Sequence, residues 1–200
     1  MKKIFAFTMM ALIGAILAQA QNGEYQPLVR EGVRWINRSY TLVMGDMVVN
    51  PYYCAIEICG DTILKADGGE STFKKCYGFK VDRNNVDAPQ NFSNKTPNAY
   101  LREEDKKVYG IDYFSARWQP VTSTILYDFS DTEQAVLRNL YEEGYVKYFN
   151  FIGTENVGGQ ECRAFEDAAS YWSFEKLVES IGLVSHFMGD LTSGRWETLA

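Results

Sequence analysis

A chain of 200 residues with a formal charge of −6 and 46% apolar residues is long enough to bury one sizeable core, and its acidic balance argues against nucleic acid or an anionic membrane as partner. Four cysteines and a single histidine exclude any site built from two or three imidazoles of one chain. The 14% of aromatic residues, 13 of them tyrosine, suits a filled sheet interior or an exposed recognition face.

Lys2-Lys3, an apolar run from Ile4 to Leu17 and then Ala18-Gln19-Ala20 give the charged, apolar and small-x-small order of an export leader. Residues 1–20 are read as a signal peptide and 21–200 as one mainly β domain that begins at Gln21. Loss of Lys2 and Lys3 takes the formal charge from −6 to −8. The leader's apolar run is shorter than the ~20 residues a spanning helix needs, and no later segment approaches that length. No membrane insertion is expected after processing, and Gln21 in place of cysteine gives no basis for a lipid anchor. The expected address is the periplasm or the outside of the cell.

After a polar stretch from Gln21 to Gln26, Leu28 to Ile36 reads as two extended pieces hinged at Gly32, with Val33 and Trp35 on one face, and Tyr40 to Met44 continues the sheet pattern. Tyr52 to Cys59 and Asp61 to Leu64 form a strand interrupted by a bulge or bend at Gly60. Asp67-Gly68-Gly69 turns it back into Thr72 to Val81, the clearest hairpin of the chain. Residues Asp82 to Pro97, dense in Asn, Asp, Pro and Ser, form a long loop of the kind that carries binding function. The runs from Asn98 to Tyr113 and Ile125 to Phe129 predict three more strands, the first two joined by a charged tip at Asp105-Lys106-Lys107. Ser130-Asp131-Thr132-Glu133 fits a capping box, and Val136, Leu137, Leu140 and Tyr141 follow at helical spacing, which predicts a short helix over 131–143. Tyr145 to Ile152 and Glu161 to Phe165 flank Val157-Gly158-Gly159 as a second hairpin. Phe174 to Met188 is compatible with a helix or with strand and turn, and is read as strand. The sum is a single antiparallel domain, a curved sheet or half-open barrel with one or two short helices.

An exported chain permits disulfides, and Cys54, Cys59, Cys76 and Cys162 allow three pairings. Folding the run around Cys59 back on the run around Cys76 brings those two near register. Cys54 with Cys162 would be the remaining pair. The alternative is that all four are small buried apolar residues. No Cys-x-x-Cys step or neighbouring histidine completes a zinc site, and no cofactor is expected.

Pro27 to Trp35, Gly60 to Ile63, Phe73 to Tyr77, Tyr100 to Tyr109, Leu126 to Ser130 and Val178 to Gly182 are spread over nearly all of the mature chain. Their order resembles that of a family of small exported proteins of unknown function common in Bacteroidota. In that family a Gly-Asp step follows the Leu-Tyr-Asp-Phe-Ser run and a Glu-Gly-Ile-Gly lies near the end. Here the first is replaced by the acidic stretch after Ser130, and the second reads Glu179-Ser180-Ile181-Gly182. The resemblance implies export and a mainly β fold and brings no catalytic residues with it. Asp61-Thr62-Ile63 also resembles the short acceptor motif for O-linked glycans in exported proteins of this bacterial group.

No catalytic set is assigned from the sequence. A Ser-His-acid triad through His186 or a carboxylate pair drawn from Glu103, Glu104, Asp105, Asp112 and Asp128 would make a hydrolase of glycans or peptides. Against this, Glu103 to Lys107 reads as a solubilising hairpin tip. The expected function is therefore a non-catalytic exported domain that binds a protein, glycan or envelope component through a sheet face or the 82–97 loop. A third reading, a half-open β shell around an apolar ligand, requires a continuous cavity lined by Phe, Tyr and Leu.

Overall fold

The computed structural model describes residues 25–43, 46–157, 160–170, 173–188 and 195–199. The expected leader, the mature start at Gln21 and the Gly158-Gly159 tip lie outside the described residues. Thirteen strands follow one another: β1 (Arg34–Val43), β2 (Asp46–Val49), β3 (Tyr52–Ala66), β4 (Gly69–Asp82), β5 (Ala99–Glu104), β6 (Lys107–Asp112), β7 (Thr124–Asp128), β8 (Gln134–Arg138), β9 (Val146–Val157), β10 (Gln160–Ser170), β11 (Ser173–Val178), β12 (Gly182–Met188) and β13 (Arg195–Leu199). They make one antiparallel sheet in which sequence neighbours are spatial neighbours, except that β1 pairs with β3 through its first half and with β2 through its second. β13 pairs with β1 from Ile36↔Leu199 to Ser39↔Trp196, so the sheet curls far enough for its last strand to meet its first.

The mainly β, antiparallel class expected from the alternating runs is what the chain adopts, but without the short helix over 131–143. Among the described residues the helical content is a single 3-10 turn, Ser115–Arg117. The capping-box pattern is read differently in three dimensions. Asp131 Oδ1 accepts the backbone N–H groups of Glu133 and Gln134 at 2.8 and 3.2 Å, which turns the chain into β8. Ala135 is then buried in the core and β8 is laddered on both sides, to β7 and β9. Helical spacing and an N-cap signal lost to a tertiary ladder that satisfies the same backbone groups.

Two hairpin tips show why their residues were chosen. Ala66 pairs with Gly69 around Asp67 (φ 54) and Gly68 (φ 87), and Glu104 pairs with Lys107 around Asp105 (φ 50) and Lys106 (φ 61). Positive φ at both central positions is the primed turn whose twist matches that of the flanking strands. At Gly60 (φ 80) the β3–β4 register shifts between Ile58 and Asp61, the bulge that the sequence marks.

Both faces of the β3–β4 hairpin are covered. On the inner face Ile58, Cys76, Ala99, Leu101 and Val108 pack with Leu28 and Val29. On the outer face the 83–98 connection lays Val86 against Ile36, Tyr53, Ala55 and Val81, and its Phe92 stacks on Tyr77 with ring centroids 4.4 Å apart. The loop expected to carry recognition thus spends its apolar residues as a cover. A second strap, 113–123, closes over Leu64, Phe73 and Ile111 through Ala116 and Val121, held by Asp67, which accepts from the Ser123 N–H at 2.8 Å.

One end of the curled sheet is sealed. Leu28 and Val29 are buried there, the Val29 N–H donates to Glu103 Oε2 at 2.7 Å and the Tyr25 hydroxyl donates to the same carboxylate. Glu103 is therefore an anchor for the first described segment and not a solubilising tip, a correction that follows from its inward position beside Leu101. Beside it, Arg163 reaches Glu179 with two bonds of 3.0 and 2.8 Å and the carbonyls of Phe129, Asp131 and Thr132 at 2.7, 2.9 and 3.3 Å.

The turn that carries Glu179 holds Ser180 at φ 70. An L-residue in that region carries a steric cost that glycine escapes, about 1 kcal/mol after allowing for glycine's greater freedom when unfolded. Ser180→Gly is expected to raise the unfolding free energy by about that amount, read as a higher urea midpoint at unchanged slope. A lower midpoint would mean that the buried serine side chain contributes more than its backbone costs.

Candidate ligand cavity

Within the curl lies a cavity of about 680 Å³. Its wall is drawn from β1 (Trp35, Asn37), β3 (Ile56), β4 (Cys76, Gly78), β5 (Ala99, Leu101), β7 (Leu126, Tyr127), β8 (Leu137), β11 (Glu175) and β12 (Leu183), with Leu28, Asn98, Ile181 and residues 139–141 and 145 at its ends. Strand alternation puts one residue in two on this face, so no short stretch of sequence contains the site.

Glycine creates part of the space. A Cβ on Gly110 would fall 2.5 Å from Leu126 Cδ1, so the missing side chain lets Leu126 lie across β6 into the cavity. The register shift between Val108 and Tyr109 accompanies it, leaving Leu126 and Tyr127 both at the wall. Burial pushes the Tyr127 phenol up, opposed by a hydrogen bond with the Leu183 backbone.

The cavity has a polarity gradient. Its deep end abuts the sealed base, where Leu28 and Tyr127 both lie within 3.4 Å of the position a Gly182 Cβ would take. From Glu103, which holds that base, β5 runs back to Ala99, paired with Asp112. Asn98, Asn139 and Tyr141, all exposed, stand around this opposite end with the half-buried Asn37 and Tyr145 and make it the mouth. Asn98 Oδ1 accepts the Gly78 N–H at 2.6 Å, and Asn139 Oδ1 accepts the Tyr141 N–H at 2.9 Å. Tyr141 is 71% exposed, and burial of its phenol, then Asp112 and then Cys76 push its ionisation up.

The charged side chains around the cavity are already engaged. Glu175, buried, faces Lys147 at 2.9 Å. Burial would lower the Lys147 ammonium, but its hydrogen bond to Glu175 raises it on balance. Asp112 accepts the N–H groups of Phe114 and Ser115 at 2.9 and 3.0 Å. Burial alone would raise its carboxyl, and these bonds together with the Ser115 hydroxyl outweigh that and hold it below the usual range. Asp128 is held low in the same way by Ser130 and Lys107 against its own burial. Glu104 pairs with Arg102 at 2.6 Å, and Asp105 sits in the β5–β6 turn. The carboxylates considered for glycosidase work are thus distributed over separate turns and pairs. Among the described residues no three His, Cys, Asp or Glu side chains are grouped so as to hold a metal ion.

The backbone of His186 lies in β12, in register with Glu175 on one side and Trp196 on the other, and its side chain lies outside the described part of the chain. The four cysteines are free, which corrects the expected Cys59–Cys76 bridge. Cys76 is in register with Ile58, and the bulge at Gly60 leaves Cys59 unpaired in the ladder. Cys76 lines the inner cavity, whereas Cys59 lines an outer cleft of about 600 Å³ beside Tyr77 and Phe92, so the sheet separates the two. Burial pushes the Cys76 thiol up to about 12, which keeps it inert at neutral pH. Thr62 of the glycan-like motif lies inside β3, paired with Phe73 and facing the outer cleft.

The mouth residues carry no local signature of a site: the spacing of Leu140 and Tyr141 points to a helix face, and the one signal of the cavity is Gly110, a glycine inside an otherwise strong strand pattern. No helix of the described residues is long and apolar enough to cross a membrane, which leaves strand-based crossing unaddressed. Comparison with protein-family models, with curated proteins and with solved structures finds no match to this chain.

Proposed function

We propose that this is an exported, non-catalytic binding domain whose ligand, a small molecule with an apolar body, occupies the interior cavity. The observation that carries the reading is the cavity itself, about 680 Å³ and walled mainly by Leu, Ile, Trp and Tyr side chains. That size and lining are those of ligand pockets in general. The separate engagement of Glu103, Asp112, Asp128 and Glu175 supports binding over acid–base chemistry, because a general acid or base needs a carboxyl free to exchange its proton. The 82–97 loop, spent as a cover, is the weaker place for recognition.

The test is a titration with the neutral apolar dye N-phenyl-1-naphthylamine, followed by its fluorescence. Saturable enhancement is expected for the purified protein. Leu101→Trp, which fills the cavity from β5, abolishes it, and Ala99→Leu, a smaller addition, weakens it while circular dichroism stays unchanged. Enhancement that does not saturate, or that survives both variants, would overturn the reading. The rival hydrolase reading draws on the register pairing of His186 with Glu175. It predicts turnover of nitrophenyl esters or glycosides that His186→Ala removes.

A further inference from the structure

We infer, resting on the cavity reading, that the ligand is an uncharged amphiphile: a hydrocarbon chain directed to the sealed end and a neutral, hydroxyl-bearing head group held at the mouth. The deep wall of Leu28, Leu101, Leu126 and Ile181 is aliphatic, and the Tyr127 hydroxyl beside it is already hydrogen-bonded to the Leu183 backbone, so this end suits an apolar segment. The mouth is different. Asn98 and Asn139 each spend the amide oxygen on a backbone N–H, so the fixed orientation leaves each NH2 group without a partner among the described residues. Two neutral donors with fixed orientation, at exposed positions of the rim that also carries Tyr141, match the oxygens of a polyol or sugar, whose C–H face also stacks on an aromatic ring.

Charge decides against an ionic head. Glu175 and Lys147 neutralise each other at 2.9 Å, so this pair offers no free counter-charge to an incoming ion. Arg138 also borders the cavity, at the last position of β8, and its Nη1 donates to the Ile125 carbonyl at 3.5 Å. A carboxylate ligand would approach Asp112, which pairs with Ala99 at this end of β5, and a chain of net charge −6. A cationic head would find Asp112 already accepting from Phe114 and Ser115. An ion drawn below the rim would lose water without gaining a counter-charge from the Glu175–Lys147 pair, whereas a neutral head needs only the amides.

The experiment is displacement of bound N-phenyl-1-naphthylamine by three single-chain ligands of equal length, 1-monodecanoylglycerol, decanoate and decylammonium, each below its micelle concentration. Monodecanoylglycerol is expected to displace the dye at least about tenfold more effectively than either ion. Asn98→Asp keeps the oxygen that Gly78 needs and removes the NH2 donor, so it narrows or reverses the advantage of the neutral ligand over decylammonium. Equal or better displacement by decanoate, or an advantage untouched in Asn98→Asp, overturns the neutral-head assignment and leaves the cavity reading standing. Dye binding with no displacement by any of the three overturns the amphiphile. Absence of dye binding overturns the cavity reading itself, and this inference with it.

Discussion

Replacing Glu179 with alanine is expected to remove about 3–5 kcal/mol of unfolding free energy, measured by urea denaturation. Its carboxylate is buried and receives two bonds from Arg163, whose remaining donors are bound to three main-chain carbonyls, and Lys106 approaches it at 3.4 Å. Deleting the acid leaves a guanidinium that is held in place by Phe129, Asp131 and Thr132 but has lost its counter-charge. The size of the effect comes from that uncompensated charge and not from the intrinsic worth of an ion pair. Glu104→Ala is the control, since its pair with Arg102 is largely solvated and surface pairs contribute about 0–1 kcal/mol. A Glu179→Ala loss no larger than that of Glu104→Ala would show that water substitutes for the carboxylate, and that the base of the sheet is less tightly sealed than described.

A loss of similar size, about 3–5 kcal/mol, is expected for Phe149→Ala. Phe149 is fully buried with Phe129, Ala135, Phe165 and Leu177, and this cluster backs Tyr127, Leu137 and Leu183, three residues of the cavity wall. Phe149→Leu keeps most of the volume and should cost less than about 1.5 kcal/mol. Against a total stability of about 5–15 kcal/mol, the alanine variant is close to the limit of what the domain tolerates, so it is best followed in denaturant at low temperature. Equal losses for the two substitutions would mean that ring shape and not volume sets the packing there.

What the residues disclosed in advance was local. The β3–β4 and β5–β6 hairpins could be read because Asp67-Gly68 and the charged tip at 105–107 are turn chemistry flanked by alternating runs, and the bulge was marked by Gly60. The strand assignment of 174–188 agrees with β11 and β12. What escaped was set by the ladder partner. Asp131 makes the same short bonds to following N–H groups in a turn before a strand as it would at a helix start, so the capping pattern could not distinguish them. The Cys59–Cys76 pairing failed for a related reason, because one extra residue at the bulge moves a cysteine off its expected face. The cavity was legible only as a requirement, since its wall is assembled from one or two residues on each of eight strands, and the freedom of the Asn98 and Asn139 amides appears only once their oxygens are seen to be taken.

The bond between Tyr25 and Glu103 also gives the molecule a polarity that matters for how it is handled. It fixes Tyr25 at the pole opposite the opening, so a linker joined directly to Tyr25 would start from behind the cup. Immobilised by that handle on a sensor chip or bead, the protein would present its open rim to the bulk solution.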